Sequence, residues 1–193
     1  TYVTTPAVSI EIVAEGIRLQ WKANPGATKY DIYRKISGQQ SALTYYKSTT
    51  DTSFIDTDVV AGFSYTYSIK VIAGDSESAY NPTGYTTTYV PPTPVKSLTL
   101  TANGVTVTWD VVENAAGYSI YRKPASSGNW VKVATLVKTV TSFDDTGVGS
   151  GANYVYAVCP IINGAESAKL QSSPIYVIKA PANVKTENVD DGV

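Results

Sequence analysis

The sequence predicts an all-β chain built as two tandem seven-stranded Greek-key sandwiches. Three observations lead there. The chain repeats itself at a spacing of 88–89 positions. Its apolar and polar residues alternate with period two in short runs, and no segment sustains a helical period of 3.6. Turn-forming residues recur between those runs at short intervals.

The repeat is the firmest of the three. Trp21 and Trp109 lie 88 positions apart, and nine residues after each stands nearly the same string: Tyr30-Asp31-Ile32-Tyr33-Arg34-Lys35 and Tyr118-Ser119-Ile120-Tyr121-Arg122-Lys123. Upstream, Gly16-Ile17-Arg18-Leu19-Gln20-Trp21 matches Gly104-Val105-Thr106-Val107-Thr108-Trp109. Downstream the offset becomes 89: Thr52-Ser53-Phe54 matches Thr141-Ser142-Phe143, Asp56-Thr57 matches Asp145-Thr146, and Gly62-Phe63-Ser64-Tyr65-Thr66-Tyr67 matches Gly151-Ala152-Asn153-Tyr154-Val155-Tyr156. Such a period is too long for a solenoid unit and fits one small domain per copy.

Each element follows from alternation. Ile17, Leu19 and Trp21 share one face of a half-buried strand, as do Val105, Val107 and Trp109. In the next strand Tyr30 and Ile32 face one way, Asp31 and Tyr33 the other. Residues 63–72 form a further strand with Tyr65, Tyr67, Ile69 and Val71 on one face. Asn24-Pro25-Gly26, Ser37-Gly38, Gly74-Asp75, Asn103-Gly104 and Asn163-Gly164 mark turns. About seven strands in ~88 residues close most simply as two packed sheets. Trp21, Trp109, Tyr65 and Tyr154 are the expected core aromatics. Tyr65 and Tyr154 each open a sixth strand after a Gly-bearing corner, so their hydroxyls should bond back to corner backbone.

These motifs together resemble the fibronectin type III family. They are Trp-x8-Tyr-x-Ile-Tyr-Arg-Lys, then Thr-Ser-Phe-x-Asp-Thr, then Gly-x-x-Tyr-x-Tyr. More narrowly, the chain resembles the bacterial branch found in secreted and cell-surface proteins. The resemblance covers both copies and specifies fold rather than function. It implies an extracellular location and a part as spacer, stalk, adhesive module or accessory domain beside a carbohydrate-active enzyme. Some members bind integrins through Arg-Gly-Asp in the loop between the last two strands. That loop reads Ala73-Gly74-Asp75-Ser76 here, without the Arg, and Asn163-Gly164-Ala165 in the second copy, so integrin binding is not carried over.

The organisation expected along the chain is the tail of a preceding repeat at 1–5, a first domain at 6–90, a Pro-rich linker at 91–94, a second domain at 95–180, and the start of a third repeat at 181–193. Pro181-Ala182-Asn183-Val184-Lys185 matches Pro94-Val95-Lys96 in kind, which suggests a piece of a longer array. The linker Pro91-Pro92-Thr93-Pro94 should be short, stiff and extended. Neighbouring domains of the same polypeptide are thus the first partners expected.

Composition removes several functions. The 193 residues carry a net charge of −1, so there is no basic surplus to follow a phosphate backbone and no nucleic-acid partner is expected. No apolar run approaches the ~18 residues of a membrane span, so no membrane contact is expected within this stretch. Histidine is absent, which removes the commonest general base and metal ligand. No catalytic residue, cofactor site or metal site is expected. Asp144-Asp145 and Asp56-x-Asp58 offer carboxylates to calcium, yet their spacing is not that of an EF-hand loop, and Asp at these places caps turns. Cys159, the one cysteine, reads as a small buried residue between Val158 and Pro160, and Pro160 is expected to bulge or end its strand.

Three aromatics are candidates for ligand contact: Tyr45, Tyr46 and Trp130. They lie just past the loop after the third strand, where the two copies diverge. Adjacent Tyr45 and Tyr46 point to opposite faces if extended, so one should be exposed and able to stack on a glycan or anchor a host protein. Tyr33 and Tyr121 also point outward beside Arg34 and Arg122. Their recurrence suggests a structural part in covering the sheet.

Overall fold

The structure, a computed structural model, describes residues 3–126 and 128–179. The proposed third-repeat segment 181–193 and the first two residues of the proposed tail lie outside the described residues.

All regular structure among the described residues is strand. The first copy contributes β1 (Val8–Val13), β2 (Gly16–Trp21), β3 (Lys29–Ile36), β4 (Thr44–Thr49), β5 (Ser53–Asp56), β6 (Ser64–Ala73), β7 (Ser76–Glu77) and β8 (Tyr85–Thr88). The second contributes β9 (Ser97–Leu100), β10 (Val105–Thr108), β11 (Gly117–Pro124), β12 (Val131–Val137), β13 (Ser142–Asp145), β14 (Ala152–Ile162), β15 (Ala165–Glu166) and β16 (Ile175–Val177). The first copy forms a three-stranded sheet, β1-β2-β5, facing a second sheet, β4-β3-β6, whose last edge is shared by the short β7 and β8. The second copy repeats this as β9-β10-β13 against β12-β11-β14 with β15 and β16. The chain switches sheets between β2 and β3, between β4 and β5, and between β5 and β6, which is the Greek-key path of a sandwich. The seventh strand of each copy is broken in two, so eight segments stand where seven are expected.

Each sandwich closes on its own core. Ile17, Leu19 and Trp21 from one sheet meet Tyr30, Ile32, Tyr67, Ile69 and Val71 from the other. Val105, Val107 and Trp109 meet Tyr118, Ile120, Tyr156 and Val158 in the second copy. Trp21 packs edge-on to Tyr30 at 5.3 Å between ring centroids, and Trp109 lies tilted on Tyr118 at 5.4 Å. Tyr65 is buried in the core. Tyr154 is only half-buried and packs against the core from its edge. The corner bonds form in both copies: the Val60 N–H donates to the Tyr65 hydroxyl at 2.7 Å, and the Gly149 N–H to that of Tyr154 at 3.1 Å.

Pro160 neither bulges nor ends its strand. β14 runs through it to Ile162, with Pro160 opposite Tyr118. The matching residue in the first copy, Val71, sends its N–H to the Ser78 hydroxyl, away from β3. A proline there forfeits one bond to a side chain and none of the ladder to β11, which is why this strand tolerates it. Its carbonyl still accepts the Ser167 N–H at 3.2 Å.

The buried polar centre of each sandwich lies between the sheets. Asp56, at the end of β5, is fully buried and accepts from Arg34 Nη1 of β3 at 2.8 Å, from the Tyr67 hydroxyl of β6 at 2.7 Å, from the Tyr46 hydroxyl at 2.9 Å and from the Asp58 N–H at 3.1 Å. Asp145 of β13 repeats the pattern with Arg122 Nη1 at 2.8 and 2.6 Å, the Tyr156 hydroxyl at 2.9 Å and the Gly147 N–H at 3.0 Å. The turn-capping role expected of both aspartates is therefore one bond of four. Burial pushes the Tyr67 and Tyr156 hydroxyls far up, and the adjacent carboxylates add to that, so both stay protonated donors.

Removing one partner of such a pair strands the other in a poorly solvated place. Asp145→Leu should destabilise the second sandwich by about 3 kcal/mol, and the double change Asp145→Leu with Arg122→Met should recover part of that loss. Urea unfolding of the full chain followed by tryptophan fluorescence measures both. Equal losses in the single and double variants would show that the charge pairing is not what matters.

Candidate functional site

Of the three expected contact aromatics, the structure separates Tyr45 from the other two. β4 carries a bulge opposite the step from Ile32 to Tyr33: Ile32 pairs with Lys47 and Tyr33 with Tyr45, leaving Tyr46 as the extra residue. A bulge re-aims the side chains around it. Tyr46 turns inward, half-buried, onto Asp56, with the Arg34 guanidinium 3.8 Å above its ring. Burial and the Asp56 carboxylate push its hydroxyl well above the usual tyrosine range. Tyr46 is thus committed to holding the sandwich together, and its part as a surface contact is withdrawn. Trp130 is half-buried with the Lys123 ammonium 5.0 Å from its ring.

Tyr45 stays 58% exposed. It stands edge-on to Tyr33, with centroids 6.2 Å apart and ring planes at 86°. Tyr33 in turn stacks on Tyr80 at 4.7 Å with planes 8° apart. Sequence reasoning missed Tyr80, because it lies in the irregular stretch between β7 and β8, where no period announces which way a side chain points. Around the rings the Tyr45 hydroxyl shares a 3.0 Å bond with Ser48, Ser48 donates to Asp31, Lys29 pairs with Asp31 at 3.1 Å, and Lys70 with Glu77 at 2.8 Å.

The second copy fills the same place differently. Its bulge lies at the same step, and Tyr121 pairs with Lys132 as Tyr33 does with Tyr45. The Lys132 ammonium sits 5.3 Å and the Lys169 ammonium 4.0 Å from the Tyr121 ring. Glu166 gathers the cluster, accepting from Lys132 at 2.6 Å, from the Tyr121 hydroxyl at 2.6 Å and from Ser119 at 2.6 Å. Burial works to raise the Glu166 pKa, but the three hydrogen bonds and the Lys132 charge outweigh it and hold the carboxyl at about 2. Cys159, on the same outer face, is buried beneath the chain at Ala168, and burial pushes its thiol up.

An open groove runs between Thr4–Ser9 and Gln20–Pro25, where Lys22 is the one ionisable side chain among its lining residues. Among the described residues, no three His, Cys, Asp or Glu side chains gather as a metal cluster would.

Because Glu166 is held below its ordinary value, its contribution to stability is complete above about pH 4.5 and drains away as pH falls towards about 2. Glu166→Gln carries no such titration. Thermal melting between pH 7 and pH 2 should fall more steeply below pH 4.5 for the wild type than for Glu166→Gln. Parallel curves would place the acid sensitivity elsewhere.

No protein-family model matches the chain. It is 30% identical over 178 residues to the amylopullulanase of Thermoanaerobacter thermohydrosulfuricus, a match spanning 86% of this chain and 12% of that protein. It is 28% identical over 177 residues to chitinase A1 of Niallia circulans, spanning 80% of this chain and 23% of that one. The chain therefore corresponds to a small part of these relatives. Among solved structures, the chicken interferon gamma receptor alpha chain superposes with a TM-score of 0.53 at 17% identity, covering 90% of this chain and 98% of that one. The two-domain fibronectin type III segment of chicken tenascin gives a TM-score of 0.45 at 18% identity, covering 89% and 99%. Its two Greek-key sandwiches and its doubled Trp and Tyr pattern give the chain the fold of tandem fibronectin type III domains, and in sequence it is similar to segments of bacterial enzymes.

Proposed function

We propose that the chain is a non-catalytic spacer that holds its neighbours in a larger secreted or surface protein of a bacterium at a fixed separation and angle, outside the cell. The observation that carries this reading is the junction between the two sandwiches. Tyr89 belongs to the first core and Val90, the next residue, to the second. No free residue separates the two anchors. Thr93, within the proline run, is buried and makes a β-bridge to Val158 of β14. Ala61, at the corner before β6, packs against both cores.

A second contact locks the rotation about that linker. Asn163 and Gly164 join β14 to β15 with φ of 51° and 79°, as a two-residue turn of type I′ requires. The Asn163 side-chain amide donates to the Gly62 carbonyl at 3.0 Å. A Cβ placed on Gly62 would lie 2.8 Å from both Asn163 Nδ2 and Ile162 Cγ2, so only glycine lets the turn approach so closely. A tether needs none of these features. A spacer needs all of them, because its use is to transmit position.

The named relatives are an amylopullulanase and a chitinase, which supports an accessory place beside carbohydrate-active domains. Their activities belong to the whole proteins, of which this chain matches a small share.

Small-angle scattering of the full chain should show one elongated particle with a narrow distribution of interdomain distances. Asn163→Gly, which removes the amide yet suits the positive φ of that turn, should broaden that distribution while each domain keeps its melting temperature to within about 2 °C. A wild type already as broad as the variant would remove the spacer reading.

A further inference from the structure

We propose that the outer sheet face of the first domain carries a binding platform for a neutral polysaccharide, formed by Tyr33, Tyr45 and Tyr80. This goes beyond the spacer reading and does not rest on it, since a rigid pair need bind no sugar and a loose pair still could.

The internal repeat supplies the first argument. Two copies of one fold solve the same surface position in two ways. In the second, the ring of Tyr121 is approached by Lys132 and Lys169, and its hydroxyl and the Lys132 ammonium are tied to Glu166. In the first, Tyr45 and Tyr80 take the places of the two lysines, and Glu77 pairs instead with Lys70. The fold therefore does not demand aromatic residues at 45 and 80. Lysine stems cover a tyrosine ring while their ammonium groups stay in water. Tyrosines in their place give Tyr33 two ring contacts and leave apolar surface in water, at 58% exposure for Tyr45.

The geometry supplies the second argument. Tyr80 stacks face to face on Tyr33, both half-buried, so that Tyr80 keeps only its outer face free, and Tyr45 stands at 86° to Tyr33 as the exposed ring beside them. A pyranose presents a face of C–H groups that packs on an aromatic ring and a rim of hydroxyls that needs donors and acceptors beside it. That rim would meet the Tyr45 and Ser48 hydroxyls, Asp31, Lys70 and Glu77. Charge supplies the third. Lys29 is paired with Asp31 and Lys70 with Glu77, so the border is balanced and offers no net attraction to an anion. A neutral hydroxyl-rich chain is the complementary partner.

Affinity electrophoresis of the full chain through gels containing soluble amylopectin, hydroxyethylcellulose or xylan, with alginate as an anionic control, tests this. Retardation is expected in at least one neutral gel and not in alginate. Tyr45→Ala and Tyr80→Ala should each weaken retention at least tenfold, and Tyr45→Phe should keep most of it. Tyr176→Ala, which removes an equally exposed tyrosine of the second domain, should change nothing; Tyr176 is 52% exposed. Lys132→Tyr with Lys169→Tyr should strengthen retention by furnishing a second platform. Melting curves identify any variant that has lost its fold, and Tyr45 is exposed enough for its alanine variant to fold. No retention in any neutral gel, retention in alginate alone, or retention indifferent to both Tyr45→Ala and Tyr80→Ala would overturn the proposal.

Discussion

The two sheets of each sandwich are tied by a carboxylate that has left water entirely. Asp56 hangs from β5 in the first sheet, while the guanidinium and phenol that hold it come from β3 and β6 in the second. Apolar packing between sheets is non-directional, and sheets can slide while keeping the same area buried. An ion pair with a defined set of hydrogen bonds cannot slide. Such pairs add little net stability, because desolvation offsets most of the attraction. What they do fix is the offset between the sheets, and with it the place of every loop. Asp145, Arg122 and Tyr156 reproduce the arrangement 89, 88 and 89 positions further on. The repetition of an expensive polar centre in both copies argues that register, rather than bulk stability, is its use.

The same centre explains the division of labour around β4. The bulge turns one member of the Tyr45-Tyr46 pair inward onto Asp56 and leaves the other outside against Tyr33. In the second copy the bulged residue is Val133, which is half-buried against the second core and brings no phenol to Asp145, and Arg122 there reaches both carboxylate oxygens. A lost phenol is thus balanced by a fuller guanidinium contact. Both copies keep the buried carboxylate supplied with donors by different means inside, and their outer faces diverge further, where the fold imposes no demand.

The strands, the separate cores and the tyrosine corners were legible in the sequence because period-two alternation and an internal repeat report which residues face inward. The Arg34 and Asp56 pair was legible in principle. Arg34 falls on the same parity as Tyr30 and Ile32, so an inward arginine repeated at 122 calls for an inward acid, and Asp56 and Asp145 are the acids that repeat with it. Which of Tyr45 and Tyr46 is the inward one was hidden for a different reason. A bulge shifts parity by one, and nothing in Thr44-Tyr45-Tyr46-Lys47 marks where the extra residue lies. Tyr80 was missed because alternation stops after β7. Pro160 was misjudged because the rule against proline in strands depends on which side its nitrogen faces. That side is set by pairing to β11 and not by the sequence nearby.

The junction shows how little chain is needed to join two rigid bodies when every residue is used. Flexible linkers spread their ends over a range of distances that grows with the number of free bonds. Here that number is almost nil: Tyr89 and Val90 are rooted in different cores, proline restricts φ at three of the next four positions, and the remaining one, Thr93, is bridged to β14. Only rotation about the chain direction is left, and the bond from Asn163 to Gly62 acts at a distance from that axis, where it has leverage. The contact is particular to this pair of neighbours. At the place of Asn163 the first domain has Gly74, which has no amide to donate, so its own turn could not make the same bond to a domain before it. Two domains of one fold can therefore be joined through a contact that the shared fold does not dictate, supplied by a single side chain in a turn, while the sandwiches on either side stay the same.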